Sequence, residues 1–204
     1  MYVEATEMIT CFFGLPGCGK STMLAKIASK ELKRIKRGKS KYKRVFCNYY
    51  IKGCYKINFS DLGLYDTSDS LVLLDEITLD ADSRKFKEFS DNSKRFFILH
   101  RKYNCDVIYV TQQYDAVDKK IRELTSDLYY MKRAGPITYA TRIYRQIIIT
   151  QDADIKQGYR FPGIAQIVFH PGYNLKICFR RRYYKYFDSY QAPVLTVREW
   201  QQYE

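Results

Sequence analysis

The 204 residues predict a three-layer α/β/α fold, with helices on both faces of a mainly parallel sheet, and three stretches carry that expectation. The first is GLPGCGKST, residues 14–22, set between an apolar run and a segment of helical periodicity. The second is SLVLLDEITLD, residues 70–80, and the third is CDVIYVTQQYD, residues 105–115. Both are short apolar runs ending in polar residues, the pattern of buried parallel strands that deliver side chains at their C-terminal edge.

MITCFF, residues 8–13, reads as the first strand. The stretch after it fits G-x-x-x-x-G-K-[ST] with Gly14, Gly19, Lys20 and Ser21. Small residues let the main chain curl until successive N–H groups point inward, making an anion nest at the positive end of the following helix. In that nest Lys20 meets the β- and γ-phosphates of a nucleotide and Ser21 a magnesium ion. Pro16, Gly17, Cys18, Gly19 and Thr22 complete the cradle. The helix itself is STMLAKIASKELKRI, and it runs into a basic tract at residues 33–44. Ten lysines or arginines fall between Lys26 and Arg44, which is either a solvated face or a nucleic-acid contact. RVFCNYYI then reads as a second strand and CYKINF as a possible hairpin partner.

Leu71 to Leu74 followed by Asp75 and Glu76 place two carboxylates at the strand edge where the phosphates of a P-loop fold sit. Asp75 is expected to hold the magnesium shell and Glu76 to polarise a water. Such an acidic strand end is common by itself, and it gains its meaning from the loop upstream. The pair of motifs predicts a P-loop NTPase of the RecA/ASCE-like kind. Residues 82–104 show helical spacing through Phe86, Phe89, Phe96, Phe97 and Leu99. The third strand brings Gln112 to the same edge, where it either senses the γ-phosphate or holds the attacking water, or else satisfies a strand-end backbone group. AVDKKIRELTSDL follows as a helix and LYYMKR as a strand. Beyond Gly135 the texture turns β-rich: TRIYRQIIIT, AQIVFH and LKICFRRRYYKYF read as added strands, with turn signals at Gly135-Pro136, Phe161-Pro162-Gly163 and Pro171-Gly172. We therefore expect one domain over residues 1–204, a core at 8–134 and a β-rich extension at 135–204.

Thirty-five basic against 22 acidic residues give a net charge of +13, and 20 tyrosines interleave with that charge. The balance favours a polyanionic partner, nucleic acid before anionic lipid, because tyrosines stack on bases. Many of them are equally at home in strands and core. Six cysteines form no C-x-x-C pair and no metal rhythm with the two histidines, so they read as reduced and mostly buried. Cys18, inside the loop, is the thiol whose alkylation would matter. No apolar run approaches the eighteen residues of a membrane span. His100 and His170 belong to no nucleophilic set.

These residues resemble the zonular occludens toxin-like ATPase domain, the family that includes the gene I assembly proteins of filamentous phages. GLPGCGKST, LVLLDEI, LHRKYNCDVIYVTQQYDAVDKKIREL and KYFDSY carry the resemblance, the third most specifically. It implies an ATPase related to the FtsK–HerA translocases, with ATP and Mg2+ as cofactors. By the same resemblance it assembles as a homo-oligomeric ring, drives virion assembly, extrusion or DNA packaging, and meets viral or mobile-element DNA and other virion-assembly or membrane proteins. It places Arg101 at the family's basic position, as an arginine finger acting across a subunit boundary. Family members commonly continue into a membrane-spanning helix, so the expected location is cytoplasmic, at the inner-membrane face. The competing expectation is a nucleotide-gated DNA-binding or scaffold module that does not hydrolyse, and a third is a basic protein of membrane surfaces.

Overall fold

In the computed structural model, which describes residues 8–79, 91–149 and 155–187, the chain opens with β1 (Ile9–Phe13) and the helix α1 (Lys20–Lys36). β2 (Arg44–Cys47), β3 (Tyr55–Lys56) and β4 (Ser70–Leu74) follow, then α2 (Asp91–Leu99), β5 (Asp106–Thr111) and α3 (Lys119–Leu124). β6 (Asp127–Ala134), β7 (Ile137–Ile149) and β8 (Ile155–Arg160) precede two short helices, α4 (Ile164–Phe169) and α5 (Pro171–Asn174), and the strand β9 (Leu175–Phe179). The sheet order is β3-β2-β4-β5-β1-β6-β7-β8, with β9 also on β7. Every pair from β3 across to β6 is parallel, and those of β7 with β6, β8 and β9 are antiparallel.

The two-residue period of the strands builds both layers. Ile9 and Cys11 of β1, Val72 and Leu74 of β4, and Val107 and Tyr109 of β5 face a core closed by Phe96 and Phe97 of α2 and Ile121 of α3. Phe12, Leu71, Leu73 and Val110 face the other side, where Met23, Leu24, Ala25 and Ala28 of α1 pack with Cys178 of β9. A sheet buried on both faces needs the near-continuous apolar runs that its strands possess. α1 ends on Lys33, Arg34 and Lys36, cations suited to the negative end of its dipole.

Several expected elements take another form. CYKINF makes no hairpin: β3 pairs in parallel with β2, Phe46 opposite Tyr55, because the chain leaves the sheet at Asn48 and turns back through Gly53 at φ +89°. RVFCNYYI is accordingly strand only to Cys47. AQIVFH is helical, not extended: Pro162 and Gly163 start α4, and the Gln166 side chain accepts from the Gly163 N–H at 3.1 Å. A short apolar run does not distinguish the two states by period. The helix expected over 116–128 contracts to α3, capped by Asp118, whose carboxylate accepts from the Lys120 N–H at 2.8 Å. After Phe179 the strand gives way to two 3-10 turns, Arg180–Arg182 and Tyr184–Tyr186. The helical segment at 82–104 is described from Asp91 and ends in a 3-10 turn at His100–Tyr103. Phe86, Phe89 and the last three residues of KYFDSY lie outside the described residues.

The joint between parallel core and antiparallel extension contains a buried ion pair. Arg142 on β7 donates to Asp127 at the start of β6, both nearly solvent-free, and its guanidinium lies 3.6 Å from the centre of the Tyr173 ring. Removing one partner leaves a charge without compensation in a poorly hydrated place. Arg142→Leu is expected to cost roughly 3–5 kcal/mol in denaturant unfolding, and the double change with Asp127→Asn to cost measurably less than Arg142→Leu alone.

Candidate functional site: the loop after β1 and the ends of β4 and β5

The loop leaves β1 at Gly14, whose N–H donates to the Thr111 carbonyl at 3.3 Å. A Cβ at Gly14 would stand 2.6 Å from the Met131 carbonyl oxygen, so only glycine lets β1 and β6 close at this point. Gly19 adopts φ +96°, and a Cβ there would meet the Thr138 hydroxyl at 2.3 Å. This left-handed residue begins α1 without a side-chain cap, and the first turn of the helix contains no acid. The leading N–H groups of α1 are thus left to an external anion. Met23 is the first to be claimed within the helix, donating to the Gly19 carbonyl at 3.0 Å. From β7, the Thr138 hydroxyl donates to the Cys18 carbonyl at 2.7 Å and holds the back of the loop.

Lys20 is buried and lies over its own loop, its ammonium donating to the carbonyls of Gly14 at 2.9 Å and Leu15 at 3.2 Å. Ser21, one residue on, donates its hydroxyl to Asp75 Oδ2 at 2.6 Å. Two unpredicted residues fix this contact. Asn48, just past β2, takes the Asp75 N–H on Oδ1 at 2.7 Å and gives Nδ2 to the Asp75 carbonyl at 2.9 Å. Tyr49 donates its hydroxyl to the Ser21 carbonyl at 2.8 Å. Their signal in the sequence was a single asparagine inside an apolar and aromatic run.

Burial pushes the Asp75 carboxyl above the ordinary carboxylate range, against the opposing effect of the Ser21 hydrogen bond. Glu76 follows in a left-handed conformation, φ 44°, uncommon for a residue with a side chain. Its Oε1 accepts from the Thr78 hydroxyl at 2.7 Å and from the Gln112 N–H at 3.3 Å. Gln112 therefore stands beside Glu76, and the contact runs through its main chain.

Ser21 and Asp75 present paired hard oxygens beside the uncapped start of α1. That donor set fits Mg2+, which takes one or two protein oxygens and leaves its other positions to phosphates and water. No group of three metal-binding side chains occurs among the described residues.

The structure does not bring Arg101 to this site. It is exposed in the 3-10 turn that precedes β5, at the opposite edge of the sheet, a strand length of roughly 17 Å away. The basic tract ends at that same far edge, and part of it is internally neutralised. Lys41 pairs with Asp106, Lys43 with Asp69, and Arg44 with Asp66. Cys18 is buried, and its thiol pKa is raised chiefly by desolvation. Since the thiolate is the reactive form, it is a poor target for alkylation. All six cysteines are free, and Cys54 alone is not fully buried. His100 is buried with Nδ1 2.7 Å from the Phe97 carbonyl, a structural position. No helix of the described residues is long and apolar enough to cross a membrane.

The family model described as zonular occludens toxin (Zot) matches residues 20–191. No curated protein matches. Among solved structures, the N-terminal domain of zonular occludens toxin from Neisseria meningitidis is similar at a TM-score of 0.57 and 14% identity, over 90% of this chain and 100% of that one. B204, the DNA-packaging ATPase from Sulfolobus turreted icosahedral virus, aligns at a TM-score of 0.47 and 11% identity, over 74% and 96%. The genome packaging NTPase B204 from Sulfolobus turreted icosahedral virus 2, in complex with ATP-gammaS, gives 0.45 and 10%, over 75% and 97%. At such identities the likeness is one of fold, a mixed α/β fold with a mostly parallel central sheet.

A carboxyl held up by burial favours its protonated form in the folded chain. Its contribution to stability is present at low pH and is lost as pH rises through its titration range. Asp75→Asn is therefore expected to raise the thermal midpoint of the nucleotide-free chain at pH 7, and the gain should disappear at pH 3.

Proposed function

Because the chain belongs to the zonular occludens toxin family, we propose that it is an ATPase that couples hydrolysis to virion assembly and extrusion or to DNA translocation and packaging. The observation that carries this reading is the 2.6 Å contact of Ser21 with Asp75, beside a helix start whose N–H groups are unclaimed. In the proposed reaction the loop N–H groups and Lys20 hold the β- and γ-phosphates, Lys20 leaving its own carbonyls for phosphate oxygens of greater negative charge. Ser21 and Asp75 would hold Mg2+, which would supply charge neutralisation for the phosphates. Glu76 takes a proton from the attacking water, and Gln112 lies near enough to orient that water. No covalent intermediate is needed, since positioning and electrostatic stabilisation suffice for phosphoryl transfer to water.

Arg101 enters this scheme only through a second subunit. Its exposure and distance from its own loop suit a finger offered to a neighbour's site, so the reading includes a ring of identical chains. Nucleic acid is the proposed cargo, supported by the net charge of +13.

Phosphate release measured with Mg2+, with and without DNA, tests the whole. Wild type should turn over, and Glu76→Gln should fall by roughly a hundredfold or more while still binding nucleotide. Lys20→Ala should lose binding itself. Arg101→Ala should lower turnover by about a thousandfold with nucleotide affinity kept. Wild type that binds nucleotide and releases no phosphate under any of these conditions would instead make the chain a nucleotide-gated binding module.

A further inference from the structure

Beside the phosphate loop, on the side away from Asp75, the turn between β6 and β7 and the turns after β9 enclose a cleft of about 450 Å3. Its lining is Arg133, Gly135, Pro136, Arg180, Arg181 and Tyr184, three cations and a tyrosine with no acid. None of the three arginines pairs with a carboxylate among the described residues. We propose that this cleft holds the nucleoside end of the bound nucleotide, the base against Tyr184 and the phosphate nearest the ribose on Arg180. The proposal rests on the phosphate loop being a nucleotide site.

Its place is fixed by β9, which runs along the first turns of α1 toward the loop. The Lys26 ammonium donates to the Ile177 carbonyl, the Cys178 thiol contacts the Thr22 carbonyl at 3.9 Å, and the Arg180 N–H donates to the Pro136 carbonyl at 3.0 Å. Arg180 is thereby carried to the start of α1. Its Nε stands 3.4 Å from the point a Cβ on Gly19 would occupy, an approach that glycine's missing side chain permits. That Nε is shielded from solvent and has no hydrogen-bond partner among the described residues. A buried donor without an acceptor is costly, and a phosphate oxygen arriving at the loop offers the acceptor that the chain does not.

Tyr184 supplies the other half. Its ring is 47% exposed, and the guanidinium carbon of Arg180 lies 5.8 Å from its centre, so cation and aromatic face flank one opening. The nearby carbonyls are already used: Pro136 accepts from Arg180 N–H, and Gly135 accepts from the Arg133 Nε at 3.1 Å. Stacking and charge read no base edge, so this cleft takes nucleotides with little choice between their bases.

Nucleotide titration by calorimetry on the full chain with Mg2+ tests the inference, using ATP, GTP and inorganic tripolyphosphate as probes. ATP and GTP should bind wild type within about fivefold of each other. Tyr184→Ala should weaken both by roughly tenfold or more and leave tripolyphosphate unchanged, with Tyr184→Phe restoring affinity. Arg180→Ala should weaken all three, and Arg180→Lys should recover part of the loss. Unchanged ATP affinity in both alanine variants, with Lys20→Ala still abolishing binding, would overturn the cleft and leave the loop standing. Wild type that binds neither ATP nor tripolyphosphate would remove the loop reading itself.

Discussion

A hydroxyl from the first turn of α1 and a carboxylate from the end of β4 meet at 2.6 Å, and the rest of the site is arranged around that meeting. It requires α1 to start immediately above the sheet, which needs a loop tight enough to reverse the chain between Gly14 and Gly19. It also requires β4 to lie one strand away from β1, on the far side of β5. The parallel order supplies that placement, because β1, β4 and β5 all end at the same edge. Ser21, the Asp75–Glu76 pair and Gln112 are remote in sequence and adjacent in space for this reason.

The cost of the arrangement is visible in the groups that surround it. A carboxylate drawn out of water is unfavourable by itself, and Asn48 and Tyr49 hold the neighbouring main chain so that it cannot turn away. Glu76 is kept in a backbone conformation that few residues with side chains adopt. Lys20 satisfies its ammonium on loop carbonyls. Strained and buried polar groups of this kind gather at functional sites more than at ordinary strand ends.

Much of this was legible because it is local. The glycine loop, the apolar run into Asp75 and Glu76, and the run into Gln112 are contiguous stretches whose spacing alone fixes their geometry on a parallel sheet. The parts that were not legible depend on partners far along the chain. Asn48 looked like one residue of a strand, since nothing near it announces a bond to Asp75. Thr138 has no local sign of its role, since its bond to Cys18 joins residues 120 apart in sequence. AQIVFH had the composition of a strand and became α4, where none of the residues is buried, so no packing against the sheet decided its form. Arg101 was placed by its resemblance to a family position, and the fold puts it at the edge opposite the loop.

The hydrogen bond from Thr138 to Cys18 joins two bodies of different stiffness. β7 is thirteen residues long and paired with three other strands, so it behaves as a beam, whereas the glycine loop is compliant. The Thr138 hydroxyl therefore ties the back of the glycine loop to the long strand, so that a displacement of either is resisted by the other.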